Sequence, residues 1–188
     1  LRIADNLDRV GETKKAIKAL KVMAQENKQR VDALTNMGNI LQRHKKYEES
    51  SKSYEEAKKR ILQFKKRHWS LHYSLGISYE RQKKWASAEK NFLMALELQP
   101  NQPSVLNYLG YSWVDQGVNL VRAEAMIRNA VKQRPRDGYI VDSLGWVLYR
   151  LGNLKGAVKA LERAVQIRPE DPTINDHLGD IYWAIGRK

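Results

Sequence analysis

Five glycines recur at nearly even intervals along this chain. Gly38, Gly76, Gly110, Gly145 and Gly179 are separated by 38, 34, 35 and 34 residues. Each follows a large apolar residue (Met37, Leu75, Leu109, Leu144, Leu178), and three positions after it comes Leu41, Tyr79, Trp113, Leu148 or Tyr182. Twelve or thirteen residues beyond each of the first four glycines lies a small residue, followed four later by a bulky one. Those pairs are Ser50 and Tyr54, Ala88 and Phe92, Ala123 and Ile127, and Ala157 and Leu161, and each is followed three residues on by Ala57, Ala95, Ala130 or Ala164. Pro100, Pro135 and Pro169 close three of the units. A period of about 20 to 50 residues is the mark of stacked supersecondary units, each unable to bury its apolar face alone.

Each offset has a packing reason. The apolar residue, the glycine and the residue three later share one face of a first helix. The small–bulky–alanine series at i, i+4 and i+7 is the complementary face of a second helix. Glycine in a helix interior costs about 1 kcal/mol against alanine, so five at this spacing argue for close helix approach. Proline cannot continue the hydrogen-bond ladder and ends the second helix. Pro103 and Pro172 suit the first position of the next helix, with Asp171 as N-cap.

The chain then parses into units. Residues 1–30 form a degenerate first repeat, with Ala4 in the glycine position and Ala16 and Leu20 on the second helix. Residues 31–68, 69–102, 103–137 and 138–171 form four more, and residues 172–188 supply one further first helix. The 31–68 unit is four residues longer than a 34-residue repeat and lacks a closing proline, which predicts a second helix extended from about Tyr47 through Phe64. The 103–137 unit carries one extra residue near Gly117-Val118-Asn119. The chain begins at Leu1 rather than methionine and stops where another second helix is due. The expectation is a piece of a longer array, or an end that a partner or a second copy covers.

The pattern resembles the tetratricopeptide repeat family, whose repeat of about 34 residues reads Trp-x2-Leu-Gly-x2-Tyr, then Ala-x3-Phe, then Ala and Pro. The resemblance covers nearly the whole chain. It implies an all-α, right-handed α-solenoid of antiparallel helix pairs and a non-enzymatic protein-binding role. A narrower likeness lies in the stretches 109–117, 137–146 and 176–180, which are similar to a block in large exported bacterial repeat proteins, outer-membrane lipoproteins among them. It implies a Gram-negative periplasm, with any signal or lipid anchor outside this chain.

In such arrays the first helices line a concave groove, and the resemblance places its exposed positions residue by residue. The early groove is polar, with Asn36 and Asn39 among its residues. The later groove is aromatic, with Tyr73, Tyr108, Tyr111, Tyr139, Trp146, Tyr149 and Trp183. Asp142, Asp176 and Asp180 add acidity beside the rings. Val114 and His177 fall at groove positions too. Such a face suits an extended or helical peptide with apolar anchors and a basic group. Against this, about half of the rings are expected to pack between neighbouring first helices as core. The family's carboxylate clamp is not reproduced: Asn39 matches its asparagine, but Thr35, Ser104 and Tyr108 replace its basic residues.

Charge opens a second reading. The formal net charge is +13. Residues 1–68 hold 18 Lys and Arg against 9 Asp and Glu, a net of +9, and the remainder holds 16 against 12, a net of +4. A basic N-terminal third, including Lys58, Lys59, Arg60, Lys65, Lys66 and Arg67, could bind RNA or an anionic surface. Alternatively these cations simply solvate outer helix faces beside glutamates.

Other chemistries find little support. There is no cysteine, which excludes disulfides and thiolate ligands or nucleophiles. No phosphate-cradling glycine loop is present, no apolar run reaches the roughly 18 residues of a membrane span, and no cofactor is implied. His68 and His72 are four apart, but no third metal ligand accompanies them. His177 beside Asp176 and Asp180 lacks a nucleophile and is expected to be a solvated groove residue. No catalytic or metal-binding residue is assigned.

Overall fold

Helix pairs form wherever the small and bulky positions alternate as above. The computed structural model of the chain describes residues 1–186. It divides into two compact units, residues 1–100 and the residues from Asn101 onward. The first holds α1 (Arg2–Arg9), α2 (Thr13–Glu26), α3 (Val31–Arg43), α4 (Tyr47–Lys59), α5 (Trp69–Glu80) and α6 (Trp85–Leu98). The second holds α7 (Pro103–Gln116), α8 (Leu120–Gln133), α9 (Gly138–Arg150), α10 (Leu154–Ile167) and α11 (Pro172–Ala184). No strand occurs among the described residues. Each unit is a layered array of helix pairs, the all-α solenoid architecture that the period predicts. Within units, α1 pairs with α2, α3 with α4, α5 with α6, α7 with α8 and α9 with α10, and each pair packs on the next. Arg187 and Lys188, the last residues of the expected 172–188 helix unit, lie outside the described residues.

The motif glycines sit at the closest approach within each pair. A Cβ added to Gly38 would lie 2.5 Å from the Tyr54 ring, and one on Gly76 would lie 2.5 Å from the Phe92 ring. Gly110 faces Ile127 at 2.8 Å and Gly145 faces Leu161 at 2.4 Å in the same way. Tyr54, Phe92, Ile127 and Leu161 are all fully buried, as are Ala57, Ala95, Ala130 and Ala164 on the same helix faces. Burial pushes the Tyr54 phenol up to about 12, so its hydroxyl stays protonated and donates to Asn39 Oδ1 at 2.7 Å.

The turn inside each repeat follows a second ladder. Gly11, Lys45, Lys83, Gly117, Gly152 and Gly186 all have φ between 59° and 85°, one per repeat at the point where the first helix ends. Glycine takes this left-handed conformation without strain, whereas at Lys45 and Lys83 a lysine is held there at a steric cost. The extra residue of the fourth repeat falls in this turn, where Asn119 is left-handed as well as Gly117. Asp171 caps α11, its Oδ1 accepting from the backbone N–H groups of Thr173 and Ile174 at 3.1 and 3.2 Å.

The structure corrects one boundary. α4 stops at Lys59 instead of running through Phe64, and a single 3-10 turn at Lys66–His68 precedes α5. Tertiary contacts decide this. The Arg60 guanidinium donates to the Ala24 carbonyl at 2.8 Å. The Phe64 ring turns back edge-on to His72, with centroids 4.8 Å apart. A continued helix could not satisfy both, so the four extra residues become a loop.

A matched pair of substitutions tests the close-approach account. Gly76→Ala forces a methyl into the buried Phe92 ring. Overpacking of about 1–3 kcal/mol should outweigh the roughly 1 kcal/mol gain in helix propensity. A Cβ on Gly179 would meet nothing within 4 Å among the described residues, so Gly179→Ala should stabilise by about 0.5–1 kcal/mol. Urea midpoints of the two variants should move in opposite directions. Movement in the same direction rejects the account.

Candidate functional site

The groove positions expected from the sequence lie on the first helix of each repeat. In the first unit the polar groove residues are already partly engaged. Asn36 Nδ2 donates to Asp5 Oδ2 at 3.3 Å, and Asn39 accepts from Tyr54 as above. Both remain half-buried. Tyr73 packs beside Trp69 of its own helix and Phe92 of α6, with centroids 6.0 and 6.1 Å away. Its ring is therefore shared with the pair interface. Asp8 anchors the α1–α2 turn, accepting from Arg43 Nη2 at 2.8 Å and Thr13 Oγ1 at 2.7 Å, with His44 Nε2 at 2.8 Å. Desolvation alone would raise this carboxyl, but those hydrogen bonds outweigh it and hold it at about 2.

In the second unit α9 packs against both α7 and α11. Here the structure joins three rings directly. Trp146 lies 5.3 Å from Tyr149, and the His177 imidazole stacks on Trp146 at 4.3 Å with the planes 15° apart. His177 Nδ1 stands 2.9 and 3.1 Å from the two oxygens of Asp142. Asp142 and His177 are 5% and 9% exposed, against the expectation that both would be solvated groove positions. The reason is mutual: the carboxylate orients the imidazole, the imidazole covers the carboxylate, and Trp146 lids the pair. Val114, also expected at the groove, is fully buried.

The other rings differ among themselves. Tyr108, Tyr111, Trp146 and Tyr149 are half-buried, whereas Tyr139 and Trp183 are exposed, at 49% and 73%. Tyr139 is covered on one face by the Arg168 guanidinium, 4.2 Å above the ring. On α11, Asp176, Asp180 and Trp183 are all exposed and, at i, i+4 and i+7, form one stripe. No group of three or more His, Asp or Glu converges to hold a metal ion among the described residues. His68 and His72 are used otherwise: His68 Nδ1 accepts from the Lys65 backbone N–H at 2.9 Å, and His72 Nδ1 meets Asn91 Oδ1 at 3.1 Å. Of the six basic residues singled out at 58–67, Lys58 pairs with Glu55 at 2.9 Å and Arg60 with Glu56 at 3.1 Å.

A family model described as tetratricopeptide repeat matches residues 29–101, and one described as TPR repeat matches residues 145–186. The chain belongs to the tetratricopeptide repeat family. A TPR repeat-containing protein of Pseudomonas aeruginosa is 32% identical over 94 residues, 50% of this chain and 16% of that protein. Among solved structures, a tetratricopeptide repeat protein of Parabacteroides merdae superposes with a TM-score of 0.82 at 17% identity, covering 99% of this chain and 72% of that one. YrrB, described as a TPR protein with an unusual peptide-binding site, gives 0.75 at 20% identity, with 95% and 89% covered. MamA gives 0.77 at 17% identity, with 89% and 95% covered. At these identities the likeness is one of fold. No helix among the described residues is long and apolar enough to cross a membrane.

Sequence reading of this tetratricopeptide chain undervalued His177. The usable signal was its offset of 35 residues from Asp142, one repeat, which sets the two side chains on adjacent first helices. Asp142→Ala should cost about 1–3 kcal/mol because it strands a buried imidazole. A double-mutant cycle with His177→Ala should show a coupling of about 0.5–3 kcal/mol. Additive effects in chemical denaturation reject a working pair.

Proposed function

We propose that this chain is a non-enzymatic protein-interaction scaffold, and that the second unit takes a peptide segment of its partner along the α9 and α11 faces. One observation carries the reading. The α11 stripe of Asp176, Asp180 and Trp183 is exposed on the helix that carries His177, whose ring stacks on Trp146, itself packed on Tyr149. An exposed indole next to two carboxylates suits a ligand with an apolar anchor and a basic group. Tyr108 and Tyr111 on α7 extend the surface, and Tyr139 borders it at the start of α9. The pre-set Asp142–His177–Trp146 contact lowers the ordering cost of binding. The peptide-binding site of YrrB adds a precedent on the same fold.

Trp183→Ala combined with Asp180→Lys should lower capture of protein partners by about tenfold or more. Because both side chains are exposed, helicity and melting should stay near wild type. Affinity purification of the protein with mass spectrometry, wild type against variant, reads the effect. An unchanged set of captured partners rejects this face.

We further propose a periplasmic setting in a Gram-negative bacterium, supported by the likeness of 109–117, 137–146 and 176–180 to exported repeat proteins. Cell fractionation should place the protein with periplasmic or envelope markers. Recovery with cytosolic markers rejects the setting.

A further inference from the structure

The four extra residues of the second repeat have a consequence for the first unit. The loop they make forms one wall of an open cleft of about 910 Å³, and the exposed side of α3, with Asp32, Asn36 and Asn39, forms another. The loop contributes Ile61, Leu62, Lys65 and Arg67 to the lining. It is held at both ends. Arg60 is tied to Glu56 and to the Ala24 carbonyl. The half-buried Phe64 packs on His72 and His68, at 4.8 and 6.1 Å, and the Lys65 backbone N–H is bound to His68. Between these anchors Leu62 stands wholly exposed, at 104%. An aliphatic side chain held in water by a pinned loop gains from any apolar cover a ligand brings.

The charges in the cleft are unbalanced. Asp32 is paired with Arg30 at 2.8 Å. Asp5 lies 3.6 Å from Arg43 and accepts from Asn36. Lys65 and Arg67, by contrast, meet no carboxylate within ion-pair distance among the described residues. The cleft therefore presents two uncompensated cations beside a bare leucine. It is lined by no Phe, Tyr or Trp, so it offers none of the aromatic platforms on which nucleic-acid bases stack.

We propose that this cleft docks an acidic peptide segment carrying an aliphatic side chain. Leu62 and Ile61 pack on the aliphatic group, while Lys65 and Arg67 pair with the carboxylates. The ligand is opposite in charge to the one suited to α11, and no residue is shared between the two surfaces. Either assignment can fail without the other.

Fluorescence anisotropy on the 188-residue chain tests it, with labelled Asp/Glu-rich peptides bearing a central leucine as probe. Lysine-substituted versions of the same peptides and an oligouridylate are the comparisons. The acidic peptides should bind saturably and more weakly as salt rises. Lys65→Glu with Arg67→Glu should weaken them by about tenfold or more. Leu62→Ser should weaken them several-fold at every salt concentration. Lys155→Glu with Lys159→Glu, an equal charge change at two exposed positions of α10, should have little effect. The proposal is overturned if no acidic peptide binds, if the lysine peptides bind as tightly, or if the loop variants bind like wild type. Preferred binding of oligouridylate overturns it in favour of a nucleic-acid surface.

Discussion

A glycine on one helix pressed against a bulky side chain on the next is the contact from which the rest of this structure follows. At Gly38, Gly76, Gly110 and Gly145 the backbone of the first helix comes so near to Tyr54, Phe92, Ile127 or Leu161 that a methyl group would collide. That approach buries the large residue completely and draws in the alanines one turn away, so each pair excludes water along its length. It also commits one face of every first helix to its own repeat. A neighbouring repeat must then pack on other faces, and whatever remains is open to a ligand. The left-handed residue at each turn keeps the two helices antiparallel at the spacing the glycine allows.

Between repeats the first unit adds polar contacts to a shared apolar core. Gln42 Nε2 reaches the Ser74 carbonyl and Ser78 Oγ, each at 2.9 Å. Ser50 Oγ, which donates to the Gly38 carbonyl of its own repeat at 2.9 Å, lies 3.0 Å from Ser78 Oγ of the next. In the second unit the corresponding role falls partly to Asp142 and His177. Satisfied polar groups of this kind favour one register over its neighbours, because a slipped helix would leave each of them unpaired and dry. A surface built on such helices presents its side chains with little disorder, which is what a peptide-docking face requires.

The inserted loop shows how a repeat array acquires individuality. One helical turn of additional chain leaves the pair packing intact at Gly38 and Gly76, since both glycine contacts lie outside it. The added residues are relegated to the connection. There Phe64 and Arg60 anchor them, and Leu62, Lys65 and Arg67 line a cleft of mixed polar and aliphatic walls. Variation in connections on a regular scaffold is a common route by which repeat proteins gain binding chemistry.

The periodic positions by themselves determined the helix pairs, the family and the residues of close approach, because a glycine or a bulky residue at the right offset has few other places to go. The N-cap at Asp171 was equally legible, for a cap acts within one turn of its own residue. The tertiary structure alone decided which groove side chains remain open. Asp142 and His177 sit one repeat apart and bury each other, and Tyr73 is drawn toward Phe92. The end of α4 was settled by tertiary contacts as well, since local propensity favours helix through Phe64 while the Ala24 carbonyl, far back in the sequence, and the His72 ring on the next helix hold the chain in a loop. Local spacing encodes what lies within one helix or one pair. Exposure depends on what the neighbouring repeat brings against each side chain, and no offset within a single repeat carries that information.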